Sequence, residues 1–103
     1  MAEIVPLCPP KLTKPAALRL VRDLAADSNN IVVIPHAKAR QRQRSISFAA
    51  IQQCLLKGSI SEGPFLNQHG HWQMNFERFA AGEELTVVAA IDWPSKMVVI
   101  TVF

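Results

Sequence analysis

Cysteine is scarce in this 103-residue chain: the two that occur, Cys8 and Cys54, stand 46 positions apart. One pair so spaced makes neither a disulfide framework nor a metal-ligand pattern, and both read as free thiols of a reducing compartment. Long apolar runs are missing too. Residues 48–51 and 54–56 are apolar but parted by two glutamines, far short of the ~20 residues that a membrane span needs. Residues 1–10 carry Glu3 and three prolines with no sustained apolar stretch, which does not match a secretory signal. No membrane partner and no export are expected, and a cytoplasmic location is. Charged residues make up 18% of the chain and hydrophobic ones 50%, which excludes a disordered tail.

The length allows one domain around one core. Residues 1–13 read as an irregular arm with Pro6, Pro9 and Pro10, and residues 14–103 as a single α+β domain. Pro15 suits a first helical position, and Leu18, Val21, Leu24 and Ala25 recur at helical spacing before the turn residues 27–30. Residues 31–34 are a β-branched run that Pro35 ends, hence a short strand at a sheet edge. A polar, basic helix is expected over residues 36–44. Ser47 then caps a helix whose stripe is Phe48, Ile51, Cys54 and Leu55 and which closes at Gly58. In the second half the period drops to two: Trp72, Met74 and Phe76 alternate with polar residues, and residues 85–91 and 97–103 are β-branched runs. Three antiparallel strands turning at Gly82 and Pro94 follow, and residues 59–65 give only a weak extended signal. The order predicts helices packed on one face of a mostly antiparallel sheet.

Net charge is +3, but its distribution says more: residues 28–61 contain no Asp or Glu and carry Lys38, Arg40, Arg42, Arg44 and Lys57. His36, Arg40 and Arg44 are four apart, which on a helix makes one stripe. Like charges at that spacing repel by a few tenths of a kcal/mol, so a helix chosen for stability alone would interleave acids. A neutral imidazole at this place can accept a proton, while guanidinium groups bind the equatorial oxygens of a phosphodiester in pairs. His36, Arg40 and Arg44 therefore supply the parts for phosphodiester cleavage. The same spacing also suits a solvated basic face, and it does not decide between them.

The stretch from Ile31 through His36-x3-Arg40-x3-Arg44-x-Ile46-Ser47, continuing to Ile51, Leu55 and Gly58, resembles the His-x3-Arg-x3-Arg-x-Ile-Ser pattern of a bacterial domain family of unassigned function grouped with the RelE/ParE toxins and BrnT-like proteins. Residues 85–92 and 96–103 are similar to that family's final hairpin. Ser45 stands where the pattern commonly has Gly, and Pro35 where a small hydroxyl residue is usual. The resemblance implies a RelE-like fold, RNA as substrate, cleavage through the 2′-hydroxyl without metal or cofactor, and a cognate antitoxin as protein partner. It also implies Thr101, in the terminal strand, as a site hydroxyl.

Lys38 and Arg42 are expected to add nucleic-acid contacts. Arg78 either faces the same cleft as His36 or pairs with Glu77 or Glu62. His69-Gly70-His71 lacks a third ligand and reads as a turn, so no metal site is expected. Trp72 and Trp93 read as core, and Cys54 as a buried small hydrophobe. Beside the RNA-cleaving reading stand a non-catalytic module that docks nucleic acid or an acidic protein on the basic helix, and a subunit whose sheet edge makes a homodimer.

Overall fold

The computed structural model describes residues 11–80, 82–93 and 96–103. Most of the expected arm and the Pro94 turn therefore lie outside the described residues. Thr13 ends the irregular start: its hydroxyl accepts from the Ala16 N–H at 3.3 Å and caps α1 (Lys14–Ala25), one residue earlier than Pro15 alone suggests. A 3-10 turn at Ser28–Asn30, held by the Asp27 carboxylate accepting from Asn29 N–H, leads into β1 (Ile31–Val33). Then come α2 (Pro35–Gln43), α3 (Phe48–Lys57), β2 (Ser59–Leu66), β3 (Trp72–Ala80), β4 (Glu83–Asp92) and β5 (Lys96–Val102).

The five strands form one sheet in the order β1-β5-β4-β3-β2, antiparallel throughout except that β1 runs parallel to β5. Alternate residues on β3, β4 and β5 point to the helices. Met74, Phe76, Val87, Ala89, Ile91, Met97, Val99 and Val102 are sealed from solvent, together with Val21 and Ala25 of α1 and Ile51 and Leu55 of α3. Helices on one face of a mostly antiparallel sheet are what the change of period predicts. On the opposite face the register sets Val88 between Asn75 and Thr101, and Ala90 between Gln73 and Val98. Both are buried nonetheless, being in a central strand with a paired strand on each side.

Two glycines explain features that the sequence signal missed or misassigned. Gly58 closes α3 in extended backbone (φ −73°, ψ 171°), not in the left-handed form that usually favours glycine at a helix end. Its reason is contact: a Cβ there would overlap the Cys54 carbonyl oxygen and lie 2.8 Å from that of Glu77. The Gly58 carbonyl also accepts from Arg22 Nη2 at 3.0 Å, tying α1 to this joint. Residues 59–65, a weak signal in sequence, belong to a full strand whose register shifts around Gly63. Gly63 has φ 87°, and a Cβ would come within 2.7 Å of the Gln73 carbonyl oxygen.

Cys54 is wholly buried, its Sγ directed at the carbonyl oxygens of Phe76 and Leu85 at 3.6 and 3.8 Å. Burial pushes its thiol up from 9.0 to about 11, against the opposing pull of the Arg78 charge. The folded chain therefore holds a proton that the unfolded chain releases, and the stability so linked is complete below pH 9 and is lost as pH rises toward 11. Lysines also titrate in that window, so the measurement is read against Cys54→Ala, which keeps all of them. Denaturant midpoints at pH 8 and pH 10.5 should show wild type losing roughly 2 kcal/mol more than Cys54→Ala between the two. Equal losses would mean that the thiolate is accommodated without cost.

Candidate functional site

The basic helix is placed by the strand before it. β1 is in register with β5 up to Val33 opposite Val99, and the next residue, Ile34, donates its N–H to the Val99 carbonyl at 3.3 Å. Pro35 follows at the first helical position, so α2 starts directly beyond the β1–β5 pairing and packs against β5. Ala37, fully buried, is its anchor in the core. The helix ends in a Schellman motif: Ile46 N–H donates to Gln41 O at 2.9 Å and Ser45 N–H to Arg42 O at 3.2 Å. Ser45 is left-handed there, with φ 52°. Ile46 packs against the core, and the Ser47 hydroxyl accepts from Ala50 N–H at 3.0 Å to begin α3.

The seven residues singled out in sequence are sorted by this geometry. Eight residues of helix separate His36 from Arg44, about 12 Å along the axis, with Arg40 midway. His36 is exposed on the first turn. Arg40 is half-buried, and its Nε is buried with no hydrogen-bond partner among the described residues. Arg44, at the other end, shares a cavity of about 540 Å³ with Arg78, Ser45, Ser47, Glu83, Glu84 and Phe103. Arg78 lies in a cavity that His36 does not line and has no ion pair with Glu77 or Glu62, so it matches neither of its two sequence alternatives. Lys38 and Arg42 turn the other way, into a groove of about 560 Å³ between α2, Phe48 and the free edge of β1. Thr101 is opposite Val88, on the sheet face turned from the helices, because its neighbour Val102 is buried beneath them. The structure brings Arg44 and Arg78 together and does not bring Thr101 to them.

Electrostatically the helix is uncompensated. Among the described residues the one ion pair is His71 with Asp92, at 3.5 Å. Lys38, Arg40, Arg42, Arg44 and Arg78 have no carboxylate within such reach, although Glu83 and Glu84 line the same cavity as Arg44 and Arg78. Arg40 and Arg42 lie in the last turn of α2, where its dipole favours cations. No group of three His, Cys, Asp or Glu able to hold a metal occurs among the described residues, and no described helix is long and apolar enough to cross a membrane. Sequence reasoning did not find Glu83, Glu84 or Phe103: their place in the cavity follows from the β3–β4 hairpin and the chain end, neither of which carries a local signal for it.

An α+β domain with a basic helix laid over one end of its sheet is the class that fold and site define. Residues 33–103 match the family model described as Domain of unknown function (DUF4258), and the chain belongs to that family. The match begins at the last residue of β1, includes α2 and every later element, and leaves α1 outside. No curated protein and no solved structure matches the chain.

Ser45 offers a test of the α2–α3 corner. A left-handed conformation costs a non-glycine residue about 1–2 kcal/mol, part of which glycine returns through the entropy of the unfolded chain. Ser45→Gly should stabilise the fold by about 1 kcal/mol and raise the thermal midpoint by about 5 °C. An unchanged or lower midpoint would show that the serine side chain offsets its own strain.

Proposed function

We propose that the chain is a RelE-like, RNA-cleaving domain of the toxin type, acting in the cytoplasm on RNA that lies along α2. The observation that carries this reading is the row of cations on α2 with no carboxylate partner among the described residues, flanked on both sides by concave surface. A helix that served only to solubilise would gain from interleaved acids, whereas cations kept clear of carboxylates retain their full attraction for phosphate.

In this reading His36 takes the proton of a 2′-hydroxyl, whose oxygen attacks the adjacent phosphorus. The bond from phosphorus to the 5′ oxygen breaks, leaving a 2′,3′-cyclic phosphate on one fragment. The departing 5′ oxygen takes a proton from water, and His36 returns its own to solvent. Arg40, one turn along, stabilises the charge that builds on the phosphate oxygens, and its buried, unpartnered Nε fits a guanidinium held ready rather than solvated. Arg44 and Arg78 hold the next stretch of backbone, about 12 Å from His36, and Lys38 and Arg42 add contacts from the other flank. Thr101, on the far face of the sheet, is given no step. The mechanism needs no metal or cofactor, and the protein partner it implies is an antitoxin that covers these cations.

One observation favours a second reading, a binding module without catalysis: among the described residues His36 has no carboxylate partner to orient its ring. Total RNA incubated with purified protein in the presence of a chelator separates the two. The cleaving reading expects 2′,3′-cyclic ends, a loss of roughly 10²-fold or more in rate for His36→Ala, and RNA affinity nearly unchanged in that variant. Salt-steep binding with no cleavage by wild type would leave the binding module standing and remove the nuclease.

A further inference from the structure

We infer that the cavity at the C-terminal end of α2 is a nucleotide subsite that selects guanine, with Glu83 as the residue that reads the base. This rests on the RNA reading above. At about 540 Å³ the cavity is of the size that holds small ligands, and its lining is of three chemical kinds. Arg44 and Arg78 supply paired donors suited to phosphate. Phe103, 42% exposed, supplies a ring on which a base can stack. Glu83 and Glu84 supply carboxylates that would repel phosphate and are not neutralised by the arginines beside them.

A carboxylate in a site built for an anion requires a donor-rich part of the same ligand. Ionised, it only accepts hydrogen bonds. Guanine presents two adjacent donors on its pairing edge, N1–H and the exocyclic N2 amino group, which the two oxygens of one carboxylate can take together. Adenine, cytosine and uracil each set an acceptor next to a donor on that edge and leave one carboxylate oxygen facing a lone pair. Of the two acids, Glu83 is the reader. It lies opposite Ala80 and two residues from Leu85, the partner of Arg78, so alternation puts it on the strand face that carries Arg78. Glu84 is opposite Phe79, on the other face, and Phe103, paired with Thr86, borders the cavity from that side, across from Glu83. The bond cleaved at His36 is then about 12 Å from a guanosine held at the far end of the helix.

Titration of the full chain with guanosine and adenosine 3′-monophosphate, by calorimetry, tests this. Guanosine monophosphate is expected to bind at least tenfold more tightly. Glu83→Gln should erase that preference by weakening guanosine monophosphate alone. Glu77→Gln, the same charge change at an exposed site on β3, should leave the preference intact, and Arg78→Ala should weaken both nucleotides. Glu83 is exposed at the start of a strand, so its variant should keep the wild-type thermal midpoint. Equal affinity for the two nucleotides, or a preference that survives Glu83→Gln, overturns the assignment. If RNA is still bound or cleaved in that case, the RNA reading stands without this subsite; if neither nucleotide nor RNA binds, both fall.

Discussion

Three residues of parallel pairing hold the arrangement together. β1 is the first strand and β5 the last, and their register, continued by the bond from Ile34 N–H to Val99 O, joins the ends of the family-matched segment. Since α2 starts immediately after that bond, its axis and the direction of its cations are fixed by a strand too short to be stable alone. Formation of β1 therefore depends on β5 already being in the sheet. The chain must close a loop of more than sixty residues before the basic helix acquires its place. Loss of this pairing would free α2 without unfolding the meander of β3, β4 and β5, which has its own ladder of partners.

The α2–α3 corner solves a second problem, that of turning sharply while keeping cations together. The C-terminal end of α2 is the negative end of its dipole, and Arg40, Arg42 and Arg44 cluster there. Their mutual repulsion, a few tenths of a kcal/mol for each pair one turn apart, is offset in part by that field. The left-handed Ser45 then reverses the chain within two residues, and Ser47 begins α3. Ser47 and Ala50 both line the cavity, so the positive end of α3 meets the arginines there. Two arginines and a helix N-terminus on one part of its wall face two carboxylates, Glu83 and Glu84, on another, so the cavity presents both signs side by side.

Much of this was legible in sequence, and what was not has physical causes. Helical period, with Pro15, Pro35 and Ser47 as start signals, located α1, α2 and α3 because each acts within a few residues of itself, while the Thr13 cap that starts α1 one residue earlier was not among them. Alternation located β3, since Trp72, Met74 and Phe76 have one buried face. β2 was faint because its interior holds Gly63 and Pro64 and its register shifts there, features that dilute a period-two pattern while satisfying a contact with β3. The parallel pairing of β1 was invisible: a three-residue strand says nothing of its partner. In the site, the stripe of His36, Arg40 and Arg44 followed from spacing alone. The side to which Arg78 turns did not, because only the register with Leu85 decides it.

Buried and exposed cations divide the work of this helix. Ala37 carries the packing, so Lys38, Arg42 and Arg44 can be exposed without loss of core. Arg40 is the exception, half-buried and with an Nε that no described group satisfies. A neutral side chain of similar shape would serve packing as well and would avoid the unmet hydrogen bond. Retaining a guanidinium there is unfavourable for the folded state considered alone. The same reasoning applies to Glu83, which stands in a cavity with Arg44 and Arg78 yet neutralises neither. Residues of both signs, adjacent and without an ion pair among the described residues, give the molecule a concave surface of mixed charge.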